Sequence, residues 1–277
     1  MAKKVEKKET LEQKVIEDLQ NTGFASEVRS IKTFISKDWN VSGSPSFFDL
    51  DENKTREFDL VAHHTIYEDE PESKERVAQS FFQIVGEVKK SKNPWIVFKA
   101  TPKNIWKAQE GWNGLIFCDG VLPGSKALTP AIMTTGLGSR MNWFAYGIHE
   151  AFKKPDQSSK WYSALVKLCK AGEDKLKANS RRLSNIVYKK NSPYLFFVKP
   201  VLILDGILMA ASISETGDME VEKVEGATVD FDFSSKAYTR GNYKIDIVCL
   251  KTLDKYLDFC EKRNALLYQA LKEDASC

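Results

Sequence analysis

Two short apolar runs that carry charge at their ends constrain this chain more than any other feature. Between Arg56 and Pro94, the first run (Phe58, Leu60, Val61) holds Asp59, and the second (Phe81, Phe82, Ile84, Val85) closes on Glu87 and Lys89. Both are short, rich in β-branched and aromatic residues and bounded by turn formers, which predicts strands. Strand side chains alternate faces, so Glu87 and Lys89, two apart, point the same way. Two acids and a lysine converging at the ends of neighbouring buried strands burden a protein that has only to fold. The stretch therefore reads as a site. Glu-x-Lys alone carries nothing: the same pattern begins at Glu6, Glu12, Glu52, Glu72 and Glu173, in polar or helical surroundings. Only the copy at Glu87 follows an apolar strand that is itself preceded by an acid-bearing one.

Upstream, Thr10 offers a helix N-cap, with Gln13 completing a capping box, and Leu11, Val15, Ile16 and Leu19 follow at helical spacing before Gly23. Glu12 falls on or beside that apolar stripe and Glu17 further round; the bland alternative for Glu12 is a carboxylate favoured by the helix dipole. A strand pattern is expected over Glu27 to Ile35. His63 and His64 are adjacent strand residues on opposite faces, a poor arrangement for one metal ion. Tyr67 to Arg76 reads as an acidic hairpin loop.

Asp59 on one strand and Glu87-Val88-Lys89 on the next resemble the PD-(D/E)xK nuclease superfamily, although Phe58 stands where the family name has proline. KKSKNPWIVF after the second strand is similar to stand-alone restriction-endonuclease-like proteins, a group that includes Mrr-like enzymes and Holliday-junction resolvases. The resemblance covers residues 10 to 95. It implies an α/β fold with a restriction-endonuclease-like central mixed sheet flanked by helices, here with an elaborated second half. It also implies Mg²⁺, or Mn²⁺ in its place, held by Asp59, Glu87, the Val88 carbonyl and Glu12 from the first helix. Lys89 would orient the attacking water. The implied partner is nucleic acid, DNA first, with a homodimer compatible; the alternative is a degenerate relative that binds nucleic acid or a protein without cutting.

Such a core next needs a crossover helix and a further strand. Lys160 to Ala178 leading to Leu195–Val198 is the longer and more amphipathic candidate; Pro102 to Gln109 leading to Leu115–Cys118 is the other. The first choice makes residues 100–155 an insertion covering the site, with Trp106, Trp112, Trp143 and a TTGLGSR segment at 134–140. That segment, with Arg140, lacks the Lys-Ser/Thr of a P-loop and reads as an ordinary loop, which disfavours a phosphate-handling enzyme built on it. Asp205-Gly206 reads as a hairpin turn, Pro200 as an edge or bulge, and Thr228–Phe233, Tyr243–Val248 and a helix over Leu253–Leu271 complete the chain.

The 277 residues are expected to form one elaborated domain from residue 10 on, after a frayed stretch over 1–9. A formal charge of +3 permits nucleic-acid binding without arguing for it. Five scattered cysteines without a CxxC pair are neither a disulfide framework nor a zinc site. With no signal-peptide pattern and no apolar run of about 20 residues, the expectation is a cytoplasmic protein away from the membrane.

Overall fold

The computed structural model describes residues 10–72, 76–99, 114–119, 126–134, 143–153, 160–182 and 192–275. The frayed terminus, the Pro102–Gln109 helix, Trp106, Trp112 and the loop with Arg140 lie outside them. What is described is α/β, a large mixed sheet flanked by helices.

Helix α1 (Leu11–Asn21) starts as its sequence dictates: the Thr10 hydroxyl accepts from Gln13 N at 3.3 Å, and Gln13 Oε1 accepts from Thr10 N at 2.9 Å. Its apolar stripe, however, is exposed, and no residue of α1 is buried. The strand expected over Glu27–Ile35 is instead helix α2 (Phe24–Ile35). Ser26, Ser30 and Phe34 are its buried residues, four apart, which is a helical period and not an alternation. Two of them are small and polar, so the apolar pattern hid the period; the Ser30 hydroxyl is satisfied by the Ser26 carbonyl at 2.8 Å.

Strand β1 (Asn40–Gly43) pairs antiparallel with β4 (Leu60–Asp69), and a small hairpin, β2 (Ser46–Asp49) and β3 (Lys54–Glu57), lies between them in sequence. Strand β5 (Arg76–Lys90) runs antiparallel to β4, with Leu60 opposite Gly86. A Cβ on Gly86 would sit 2.7 Å from the Leu60 side chain, so glycine is what lets β4 close against β5 immediately before Glu87.

After β6 (Trp95–Lys99), β7 (Leu115–Asp119), α3 (Leu128–Thr134) and β8 (Ala145–Glu150), helix α4 (Lys160–Arg182) crosses over to β9 (Tyr194–Asp205), which lies parallel to β5 with Glu87 opposite Leu202. Of the two crossover candidates, the longer helix thus supplies the connection. Two described strands of the segment expected to cover the site are built into the sheet: β7 pairs with β9, and β8 pairs with β6 and β12 (Gly226–Phe233).

Two expectations about β9 fail. Asp205-Gly206 is not a hairpin, because β10 (Leu208–Ile213) pairs with β6 and with β11 (Met219–Val224), not with β9. The turn packs against the one between β5 and β6: Ser91 N donates to Asp205 O at 3.1 Å, and a Cβ on Gly206 would meet Ser91 O at 2.9 Å. Pro200 is not at an edge either. It lies between the ladder to β7, which ends at Val198, and the ladder to β13 (Gly241–Cys249), which starts at Val201, where a cross-strand bond is already missing.

Helix α5 (Leu253–Ala275) follows β13, and its predicted face, Leu253, Tyr256, Leu257, Cys260, Leu267 and Leu271, is buried. The sheet has two covered faces. On one, Phe82, Ile84 and Val88 of β5 pack with α5 and with Phe34 of α2. On the other, Val85 packs with Leu165 and Leu168 of α4, each fully buried leucine contributing about 2 kcal/mol. Alternation along β5 puts Glu87 and Lys89 on the α4 side.

Candidate functional site

Asp59 sits at the bend that leads into β4. Its carbonyl accepts from Ser44 N at 2.9 Å, and Phe58 N donates to Pro45 O at 3.0 Å, so the β1–β2 connection fixes the bend. Phe58 is buried against Phe47, their rings 6.1 Å apart. Across the ladder, Asp59 Oδ2 accepts from Val88 N at 2.6 Å, which ties the aspartate to the backbone beside Glu87.

Glu87 is fully buried, while the side chains of Asp59 and Lys89 are 17% and 26% exposed. Lys89 Nζ lies 2.5 Å from Glu87 Oε2, 3.1 Å from the Val88 carbonyl oxygen and 3.5 Å from Asp59 Oδ2. Three oxygens expected to face one ion thus surround a single positive centre, the ammonium of Lys89. A second lysine, Lys167 of α4, reaches Glu87 Oε1 at 2.5 Å. Burial raises the Glu87 carboxyl above the usual range and the charge of Asp59 adds to it, against the pull of Lys89 and Lys167. Burial also draws the Lys89 ammonium down, but Glu87 and Asp59 more than offset this, so Lys89 titrates above an ordinary lysine.

Glu12 stands apart from this group. It is exposed in the first turn of α1, and its carboxyl is held below the usual range by its own backbone N–H and the Thr10 hydroxyl. The helical acid that feels the site is Glu27 of α2. Burial raises its pKa and so does the charge of Asp59, with Lys89, Glu87 and Lys167 acting on it as well. Reading Ser26, Ser30 and Phe34 as one helix face would have placed Glu27 beside that face. Lys167 lay in the open too, three residues after Ala164 and four before Ala171 on the buried side of a helix, though nothing in the sequence named its partner.

Neither a protein-family model, nor a characterised protein, nor a solved structure matches this chain. The chemistry has to be read from the site itself.

A cleft of about 520 Å³ opens over Glu87 and Lys89, walled by the β2–β3 hairpin and by α4. Here Lys170 is clamped by Asp49 Oδ1 at 2.9 Å and Asp51 Oδ2 at 2.8 Å, and Arg56 pairs with Asp49 at 3.2 Å and with Glu52. These pairs hold the hairpin against the helix. His63 and His64 serve packing: His63 stacks on Phe81 at 4.9 Å, and His64 lies 5.5 Å from Trp39 with Asn264 on its Nδ1.

Among the described residues, no group of three or more His, Cys, Asp and Glu side chains is arranged to hold a metal ion. The oxygen set here comprises two carboxylates and a carbonyl gathered about one positive centre, which suits a hard divalent cation that keeps several waters. Among the described residues, no helix is long and apolar enough to cross a membrane.

Proposed function

We propose that this chain is a metal-dependent nuclease of the restriction-endonuclease-like type, hydrolysing phosphodiester bonds in nucleic acid, DNA first. The observation that carries the reading is the convergence of Asp59 Oδ2, Glu87 Oε2 and the Val88 carbonyl on the Lys89 ammonium. The element order supports it. In the fold α2, β1, β4, β5, α4 and β9 follow one another as a helix, three antiparallel strands, a crossover helix and a strand parallel to the third, an order compatible with that superfamily's core.

Asp59, Glu87 and the Val88 carbonyl would hold Mg²⁺ or Mn²⁺. When bound, such an ion lowers the pKa of a water and neutralises charge on the phosphate. The Val88 N–H holds the Asp59 carboxylate in place. Lys89, which touches the same oxygens, would orient the attacking water or stabilise the developing negative charge. Lys167 remains on the far oxygen of Glu87 and keeps that carboxylate oriented. Glu27, whose carboxyl feels the charges of Asp59, Lys89, Glu87 and Lys167, would be the helical acid available to the site.

A second reading is a member of the same fold that binds without cutting. What favours it is that Lys89 and Lys167 already balance Glu87 without a cation. Incubating the purified chain with plasmid, linear DNA and RNA in Mg²⁺, Mn²⁺ or EDTA decides between the two. Metal-dependent cleavage lost in Asp59→Ala and Lys89→Ala is expected; binding without cleavage in either metal would leave only the second reading.

A further inference from the structure

Glu87 is fully buried, yet with Lys89 it lines the cleft of about 520 Å³. A phosphate meeting this face of the pair therefore arrives through that cleft. Its volume falls in the range that encloses a single small-molecule-sized group. A space of that volume encloses a group of nucleotide size and not a stretch of duplex, so a paired base must first leave its stack to enter it. One wall presents Tyr162 of α4, a residue 51% exposed. Its ring is braced edge-on by Phe231 at 5.7 Å and by Trp161 at 5.8 Å, so it is held at an exposed position. Arg56 and Lys167 flank the same space.

We infer that the cleft receives one unpaired nucleotide, its base against Tyr162 and its phosphate toward Lys89 and Lys167, so that the substrate class is single-stranded or locally opened nucleic acid. The inference rests on the nuclease reading for its biological meaning, but its test does not depend on cleavage. Base-on-aromatic stacking tolerates any base, so no sequence preference follows from it.

The test measures fluorescence anisotropy of the full chain in EDTA with labelled single-stranded DNA and RNA oligonucleotides. A covalently closed dumbbell duplex of the same DNA sequence serves as the comparison. Single strands are expected to bind at least about tenfold more tightly than the dumbbell, and Tyr162→Ala to weaken them roughly tenfold, the loss of one stack, with Tyr162→Phe restoring the affinity. Equal or tighter binding of the dumbbell overturns the inference, as does a Tyr162→Ala chain indistinguishable from the parent or the absence of any binding. If single strands bind through Tyr162 but nothing is cut in Mg²⁺ or Mn²⁺, the cleft assignment holds and the nuclease reading falls.

Discussion

Glu87 carries two lysines, and the nuclease reading gives them different work. Replacing Lys167 by alanine should slow metal-dependent cleavage about tenfold to a hundredfold, measured as kcat/KM; an unchanged rate would remove Lys167 from the site. Glu12→Ala should leave the rate as it is, and Glu27→Gln should lower it; the reverse result would return the helical acid to α1. The pH dependence has a definite sign. Glu87 must be ionised to accept a cation, and its pKa is raised by burial. Activity should therefore fall, as pH drops, at a value above the ordinary 4.5 of a glutamate. Lys167 pulls that pKa down, so Lys167→Ala should move the acidic limb of the rate profile upward. A limb that stays put would separate Lys167 from Glu87. Asp59, Glu87 and Lys89 were legible because their strands are short and apolar around isolated charges. Lys167 was not, because its meaning depends on an interaction spanning 80 positions that no local pattern encodes.

At the level of elements, the boldest sequence signals were the strands around the charged pair and the long helices, whose periodicity is carried by many apolar residues. Helix α2 was misread because serines occupy two of its three buried positions, and their role is close packing and not apolar burial. The stripe on α1 was legible as a helix yet misleading as to burial, since the same pattern suits a face that the described residues leave exposed. The false hairpin at Asp205-Gly206 has the same origin: the dipeptide predicts a turn, but the partner of β10 is decided by β6 and β11. That turn is testable. Gly206→Ala places a methyl against the Ser91 carbonyl, and either backbone must shift. The expected loss is about 1–3 kcal/mol in denaturant unfolding, and a variant as stable as the parent would show that the two turns are not locked together.

At the scale of the whole molecule, a buried charged cluster joins β9, β12 and β13 to α5. Lys199 of β9 is fully buried with its Nζ 2.9 Å from Asp246 of β13, whose other oxygen accepts from Tyr256 of α5 at 2.8 Å. Thr228 of β12 donates to Asp246 at 2.6 Å, and Arg263 of α5 stacks 4.2 Å above Phe197. Burial pulls the Lys199 ammonium down and Asp246 partly restores it. Asp246→Ala removes the carboxylate that balances this interior and should cost about 3–5 kcal/mol, read as a lowered midpoint in urea; a loss below about 1 kcal/mol would show the cluster to be dispensable. None of this was visible as a motif, since its members come from four elements and only folding brings them together.

The parallel seam between β5 and β9 joins positions roughly a hundred residues apart in the chain. A ribosome therefore finishes Asp59, Glu87 and Lys89 long before it makes the helix bearing Lys167 or the strand that seals their flank. Until β9 has been made, the nascent polypeptide carries these groups without the helix and strand that flank them, so the arrangement around Glu87 assembles only after residue 205 has emerged.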